Sequence, residues 1–202
     1  MAFEARSNAD VARLIDEFPL AWVVSLSDAR FFSTPLPLLA DVDATTGEIT
    51  TLIGHFALSN AHVKALRMAP RALILFNGPH GYMSPEGVSK PKWAPTWNYA
   101  VAQFEVDIEL KPEENAQAIE RLVRRMERDR AQPWTPAQMG ERYAQLASRI
   151  IAFRAHVRSS TSRFKLGQDE TSTVFGELVS RLDDPLLVSW MREFNAERIE
   201  PT

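Results

Sequence analysis

Residues 78–99, GPHGYMSPEGVSKPKWAPTWNY, constrain the fold more than any other stretch of this sequence. They include four prolines, three glycines, two tryptophans and two tyrosines. A helix is excluded here because proline has no amide hydrogen and its ring clashes with the preceding turn. Aromatic rings and short polar groups on a proline-framed backbone favour a site for a flat ligand, which stacks on the rings and forms hydrogen bonds at its edge. The alternative interpretation is a long structural loop that covers the core.

The sequence on both sides of this stretch indicates β-strands. Alternating or continuous apolar runs predict strands over 21–26, 30–39, 48–54, 71–76, 97–110, 149–158 and 163–166, with a turn over 159–162. The strand 97–110 is predicted to bury Val101 with Phe104 and to carry a bulge near Ala102–Gln103. Pro35 and Pro37 cannot donate to a strand ladder, so the second strand is expected at a sheet edge or beside a bulge.

Helices are predicted before, between and after these strands. Ser7 with Asp10 can cap a helix that runs to about residue 18, and Ser59 or Asn60 can cap a second helix over 60–68. Further helices are expected within a helical insertion at about 112–147 and at the C-terminal end, about 171–196. This order predicts a mainly β, α+β chain: one domain over 1–202, built as an antiparallel barrel decorated by helices.

Composition excludes several classes of function. The chain has 202 residues, a formal net charge of −3 and no cysteine, so thiolate nucleophiles and cysteine-bound metals are absent. The four histidines show no metal-ligand spacing. The arginines at 124–130 could form a nucleic-acid patch, but interspersed acidic residues favour a solvated helical face. We see neither a signal pattern nor an apolar run long enough for a membrane span, and therefore expect a cytoplasmic protein without membrane contact.

Residues 54–62, GHFALSNAH, lie between a predicted strand and a predicted helix. Free amides at the start of a helix, together with Ser59, Asn60 and His62, could hold an anion such as a phosphate. The alternative is simple capping by Ser59 or Asn60, with His62 on the surface. Asn98 has a similar ambiguity: its amide could face the edge of a heterocycle or satisfy the backbone of a loop.

Several of these segments together resemble the PaiB family of FMN-binding split-barrel proteins, often described as FMN-binding negative transcriptional regulators. The resemblance rests on residues 35–39 (PLPLL), 54–57 (GHFA) with Asn60, 76–85 (FNGPHGYMSP), 95–99 (PTWNY) and 164–168 (FKLGQ). It implies an antiparallel six-stranded FMN-binding split β-barrel, a homodimer, and FMN in a cleft between the two subunits.

The resemblance also implies site residues. The phosphate is expected near the turn from strand to helix, and the flavin pocket near the proline-rich stretch. The implied FMN-binding set is His55, Ser59, Asn60, His62, Tyr82, Ser84, Thr96, Trp97, Asn98, Lys165 and Gln168. This chain departs from the family pattern at Leu58, where members usually carry an arginine, and after Ser84-Pro85, where the usual Trp-Tyr is replaced by Glu86-Gly87.

Three functions are compatible with the sequence. The first is a flavoprotein with oxidoreductase potential, although no residue is an evident catalytic acid or base. The second is a transcriptional regulator that acts without redox chemistry; direct DNA binding has little support, since the chain is acidic and has no recognisable helix-turn-helix. The third is a protein that binds haem or another small molecule on the same barrel.

Overall fold

A computed structural model describes residues 3–198, and within that range the chain forms seven strands and six α-helices. The strands are β1 (Leu20–Ser27), β2 (Arg30–Pro37), β3 (Leu39–Val42), β4 (Ile49–Ala57), β5 (Arg71–Met83), β6 (Thr96–Leu110) and β7 (Ile150–Lys165). The helices are α1 (Asn8–Glu17), α2 (Ala61–Met68), α3 (Asn115–Glu127), α4 (Arg142–Ala147), α5 (Ser172–Val179) and α6 (Pro185–Phe194). This arrangement confirms the predicted mainly β chain with added helices.

All seven strands belong to one antiparallel sheet, in the order β2-β1-β5-β6-β7-β4-β3. The two edge strands, β2 and β3, are separated in the chain by Leu38 alone. Leu38 is fully buried, and its amide donates to the carbonyl of Pro19. Because the chain passes directly from one edge of the sheet to the other, the sheet must curl until its edges meet at this residue.

The number of strands differs from the six that the resemblance implies. The predicted strand 30–39 is divided at Leu38 into β2 and β3, which pair with different neighbours, β1 and β4. Pro35 and Pro37 lie on β2, an edge strand, where a missing donor costs no ladder hydrogen bond. Their predicted position at an edge is therefore confirmed.

The proline-rich stretch is partly strand. β5 continues beyond Phe76 to Met83, and its last residues pair with the beginning of β6 in a hairpin. The register shifts between Asn77 and His80, so the bulge lies on β5 and the prediction of a bulge at Ala102–Gln103 is wrong. Without that bulge the alternation along β6 is unbroken, and Val101 lies on the face opposite to Phe104 rather than beside it.

β7 is one continuous strand, and the turn predicted over 159–162 is wrong. Residues 159–162 pair with Glu105 through Ala102 of β6. The ladder uses backbone groups that every residue except proline provides, so a run of serine and threonine can pair when a long partner strand lies alongside it. The register shift at Glu105/Val106 leaves Arg158 without a partner in the β6–β7 ladder, and pairing continues on both sides of it.

The helix signals are largely confirmed. Ser7 and Asp10 form a capping box on α1, Asn60 caps α2, and Asp184 caps α6. The last part of the predicted helical insertion at about 112–147 is less helical than expected: it comprises a 3₁₀ turn at Pro136–Met139 followed by the short α4. Gly140, at φ 55°, separates the two, because this left-handed backbone conformation interrupts a helix. None of the described helices combines the length and the apolar character that a bilayer crossing requires.

The closure at Leu38 depends on close packing against β4 and β7. A side chain at Gly54 would overlap the side chain of Leu38, and Phe153 lies within 3.1 Å of the same position. Phe56 and Phe153 pack against each other with ring centroids 5.0 Å apart. Leu38 therefore fills a niche that the absence of a side chain at Gly54 leaves open.

We expect Leu38→Ala to reduce the free energy of unfolding by about 2–5 kcal/mol, because it leaves a cavity where the two sheet edges meet. Urea denaturation followed by circular dichroism measures this loss. The matched control is Leu186→Ala on α6, where the side chain is 51% exposed and the change should be about 0.5 kcal/mol or less. Equal effects of the two substitutions would contradict this account of the closure.

Candidate functional site

On β1 and β2, the surface of the sheet that points away from the core is strongly apolar. Cross-strand pairs place Leu20, Trp22 and Leu26 of β1 opposite Pro37, Pro35 and Phe31 of β2. The same surface continues through β5 to the hairpin and β7. We call this surface the outer face; its large exposed members are Leu20 (63% exposed), Trp22 (50%), Leu26 (52%), Phe31 (75%), Tyr82 (51%) and Trp97 (53%). A contiguous apolar patch of this kind is typical of a binding surface.

Aromatic rings cluster at the hairpin end of the outer face. Trp97 stacks on His80 with ring centroids 6.5 Å apart, and the ring of Tyr82 lies 5.8 Å from that of Trp97. Nearby, Lys165 donates a hydrogen bond of 2.6 Å from Nζ to Oγ1 of Thr96. The structure therefore brings together four of the predicted residues, Tyr82, Thr96, Trp97 and Lys165, and adds His80.

A shallow groove of about 310 Å³ lies on the same face. Val101 and Gln103 of β6 and Thr161 and Arg163 of β7 line it, and Phe3 closes one side. The ring of Phe3 lies 5.8 Å from Nζ of Lys165, which places the groove beside the hairpin cluster. This volume is at the lower limit of ordinary ligand pockets, so the groove alone encloses little of a flat ligand.

Three other predicted residues of this region form hydrogen bonds within the protein. Oγ of Ser84 accepts from the amide of Glu86, and the buried Asn98 directs its amide nitrogen to Sδ of Met191 at 3.6 Å. Gln168 closes its own turn, accepting from the amide of Leu166 and donating to the carbonyl of Phe164, each at 2.6 Å. These contacts shape the backbone on which the exposed residues stand.

At the start of α2, Asn60 and His62 hold the helix against the sheet. Oδ1 of Asn60 accepts from the amide of His62 at 2.9 Å, and Nδ2 of Asn60 donates to Oγ1 of Thr34. His62 is only 1% exposed, and its ring nitrogens contact the hydroxyls of Ser25 and Thr34 at 2.9 and 3.0 Å. Burial lowers the pKa of His62, so the ring is neutral, and one ring donor and one acceptor match the two hydroxyls.

His55 lies on β4 and Ser59 lies in the turn that precedes α2, and each has a polar atom without a hydrogen-bond partner in the described part of the chain. Nδ1 of His55 is withdrawn from solvent and has no hydrogen-bond partner among residues 3–198. Burial also lowers the pKa of His55. The hydroxyl of Ser59, an exposed residue, likewise has no partner in the described part of the chain. A buried nitrogen without a partner is rare in native proteins and indicates a ligand or water at this position.

The predicted residues thus form two groups, one at the start of α2 and one at the hairpin. On β7, position 152 pairs with His55 while Lys165 pairs with Tyr99, and these positions are thirteen residues apart. This separation corresponds to a strand contour of roughly 40 Å. Within one copy of the chain, the two groups therefore lie near opposite ends of the longest strand.

Sequence analysis missed the part of the outer face on β1 and β2. A signal was present, because apolar residues occupy successive positions in LAWVVSL and RFFSTPLP, whereas a strand with one solvated face alternates. His80 was also missing from the predicted set, although it lies two residues before Tyr82 and thus on the same side of β5.

The arginines of α3 mainly form ion pairs with the rest of the protein. Arg125 and Arg128 contact Asp16 at the end of α1, and Arg121 contacts Asp41 of β3. Burial opposes the ionisation of Asp16, but the two guanidinium groups outweigh it and lower the pKa of this carboxylate. These pairs hold α3 against the sheet and leave little of its charge for a nucleic acid.

The curled antiparallel sheet, the helix at its edge and the aromatic hairpin define a split barrel of the flavin-binding class. The chain belongs to the family described as "Putative FMN-binding domain", whose family model matches residues 1–159. The cofactor predicted from the sequence, FMN, is the one that this description names.

Curated relatives and solved structures agree with this assignment. The chain is 25% identical over 185 residues to "Protease synthase and sporulation protein PAI 2" of Bacillus subtilis (strain 168), covering 90% of this chain and 87% of that protein. The FAD and heme binding protein of Mycobacterium smegmatis has a TM-score of 0.60 at 15% identity, with 81% of this chain and 74% of the other covered. The flavocytochrome Anf3 of Azotobacter vinelandii also has a TM-score of 0.60, at 14% identity, covering 82% and 70%. These two likenesses establish the fold.

The buried histidines should make the protein less stable in mild acid. Because the folded-state pKa values of His55 and His62 are below the ordinary 6.5, the unfolded chain binds protons first. The stabilisation that comes from keeping these two rings neutral should therefore be complete above pH 6.5. It should decrease as the pH falls from 6.5 towards the folded-state pKa values. Urea denaturation at pH 7.5 and 5.5 measures the loss, and a His55→Gln/His62→Gln variant should lose less over the same interval. An unchanged pH dependence in this variant would refute the assignment.

Proposed function

We propose that this chain is a flavoprotein that acts as a homodimer and holds FMN in a cleft between its two copies, with a role in oxidoreductase chemistry. The observation that carries this proposal is that the two groups of candidate residues lie near opposite ends of β7. FMN is one small molecule, whose phosphate is joined to its ring by a short ribityl chain. It can contact both groups only if the hairpin of one copy lies near the start of α2 of the other.

The residues present fit FMN. Near the start of α2, the exposed hydroxyl of Ser59 and the amide of Ala61 are available to a phosphate, while the amides of His62 and Val63 donate to Asn60. At the hairpin, Trp97 and Tyr82 offer exposed aromatic surface for the ring, and the Lys165–Thr96 pair offers donors for its polar edge. Asn60 and His62 act indirectly, by holding α2 in place.

Bound FMN would supply hydride and one-electron transfer. The contribution of the chain is to bind and orient the ring and to exclude water. Lys165 places a cation at the polar end of the hairpin cluster, where it favours a ring that carries negative charge. In this cluster, no histidine or carboxylate forms a pair that could donate and accept a proton. The protons that a reaction needs would therefore come from the substrate itself or from water.

A second copy of the chain is the occupant that the outer face fits best. The face is apolar on β1 and β2 and aromatic at the hairpin, and the groove beside Lys165 lies on it. Two-fold pairing of this face would cover the exposed aromatic residues and deepen the groove into a cleft. The arginines of α3 are largely neutralised by carboxylates, which disfavours direct DNA binding. The regulatory role that the PaiB resemblance implies would then depend on the flavin bound to the dimer.

FMN binding can be tested by titrating FMN and following the quenching of its fluorescence. We expect Trp97→Ala to weaken binding about tenfold, since it removes the main stacking surface of the hairpin. Trp134→Ala, on the segment after α3, is the matched control and should leave binding unchanged. A wild-type protein that neither quenches FMN nor is yellow would contradict the proposal, and a Soret band after addition of haem would then favour the haem alternative.

Dimerisation can be tested by light scattering coupled to size-exclusion chromatography. We expect a wild-type dimer and a monomeric Trp22→Glu variant, because a carboxylate cannot be buried in an apolar interface without a partner. The variant should also lose FMN affinity, although none of the predicted FMN contacts is altered. Leu186→Glu is the control for an added charge at an exposed leucine outside the outer face, and should remain a dimer. A monomeric wild type would contradict the proposed cleft.

A further inference from the structure

A second cavity, of about 580 Å³, lies between α3 and the segment that follows it. One wall is a face of α3, and the opposite wall consists of residues 133–137 together with Tyr143 of α4. We call this cavity the α3 pocket. It shares no lining residue with the groove beside Lys165 or with the candidate FMN contacts, and its volume is that of an ordinary ligand pocket.

The segment that forms the outer wall of the α3 pocket does not join the core. Neither its 3₁₀ turn nor α4 contains a buried residue. Polar contacts hold the segment to α3: the amide of Trp134 donates to Oε2 of Glu127 at 3.0 Å, and the hydroxyl of Tyr143 donates to the carbonyl of Ala116 at 3.4 Å. Core packing therefore does not account for the aromatic side chains that this segment carries.

The interior of the α3 pocket suits an apolar group. Pro133, Trp134 and Pro136 line the outer wall, and Val123 lines the wall formed by α3. Trp134 is 38% exposed and so retains free ring surface. Burial raises the pKa of the Tyr143 phenol, and the charge of Glu120 raises it further, so the phenol is neutral. An aromatic or large aliphatic side chain would replace water against these surfaces.

Two charged side chains at the α3 pocket are not paired. Its charged lining residues are Glu120, Arg124, Glu127 and Arg128. The last two form ion pairs elsewhere, each at 3.0 Å. Glu120 and Arg124 form no hydrogen bond or ion pair with any residue in the range 3–198. They are four residues apart on α3, so their Cβ atoms are about 5–6 Å apart, and they present a free carboxylate and a free guanidinium side by side.

We propose that the α3 pocket binds a free amino acid with an aromatic or large apolar side chain. Glu120 would accept hydrogen bonds from the α-ammonium, and Arg124 would donate to the α-carboxylate. The side chain of the ligand would lie against Trp134 and Tyr143. The two charges of an amino acid are carried by one carbon and its neighbour, so both can be reached by side chains that begin on adjacent helical turns. A ligand with a single charge would leave one of the two protein charges without a partner.

The experiment uses isothermal titration calorimetry with three probes that share a phenyl ring. L-Phenylalanine carries both charges, 2-phenylethylamine lacks the carboxylate, and 3-phenylpropionate lacks the ammonium. We expect the wild type to bind L-phenylalanine about tenfold or more tightly than either analogue, because each analogue loses a hydrogen bond between charged groups. Wild-type protein that does not bind L-phenylalanine, or binds it no more tightly than the analogues, would overturn the proposal.

Variants assign each charge to its partner. Arg124→Met should weaken L-phenylalanine and 3-phenylpropionate about tenfold and leave 2-phenylethylamine unchanged, whereas Glu120→Gln should weaken L-phenylalanine and 2-phenylethylamine and leave 3-phenylpropionate unchanged. Trp134→Ala should weaken all three probes. Arg142→Met is the matched control, since Arg142 is an exposed arginine of α4 that does not line the pocket, and it should change nothing.

The expected pattern distinguishes a specific role from general damage to the fold. Melting temperatures of the charge variants should match the wild type, because Glu120 and Arg124 are exposed. Equal losses for all three probes in Arg124→Met, or in Glu120→Gln, would refute the assigned pairing. FMN titration of the same variants should give the wild-type affinity. The amino-acid site does not depend on the flavin cleft, so failure of the flavin proposal would leave these results standing.

Discussion

The architecture depends on one steric constraint: the chain crosses from one sheet edge to the other within a single residue. Leu38 can be buried there only because Gly54 has no side chain on the facing strand. The sheet is thereby forced to curl, and its two surfaces become unequal. The concave surface is filled by phenylalanine, leucine and isoleucine side chains, as close packing requires. Among residues 3–198 no helix covers β1, β2 and the hairpin on the convex surface, so apolar residues on that side are exposed.

The same curl determines how a ligand site can be built. β7 is the strand that links the two groups of candidate residues, since it pairs with β4 near one end and with β6 along most of its length. Its sixteen residues keep the start of α2 and the hairpin apart in any single copy. The site proposed above would take the two groups from two chains, and the convex surface would provide the area for that contact. Binding and assembly would then be coupled, because each copy supplies only half of the ligand's surroundings.

Local signals predicted much of the fold. Alternation identified the strands, Pro35 and Pro37 identified the edge, and Asn60 identified the beginning of α2. The errors occurred where residues distant in the chain determine the structure or burial of a segment. The run 159–162 has turn-like composition, yet β6 lies beside it and pairs with it. The burial of His62 depends on Ser25, 37 residues away, and on Thr34, which no local pattern can indicate. Tertiary hydrogen bonds thus override the composition of a short segment.

The site residues differ in what they imply about a ligand. Asn60, His62, Asn98 and Gln168 each satisfy a helix, a turn or the core, so the fold alone accounts for their presence. Their match to a family pattern is therefore weak support for ligand binding. Exposed rings at Trp97 and Tyr82, and a nitrogen of His55 without a partner among residues 3–198, have no such structural explanation. Polar groups left unsatisfied and apolar groups left exposed both raise the free energy of the isolated chain. Their cost is offset only when something binds, and a planar ring with a phosphate would satisfy both kinds at once.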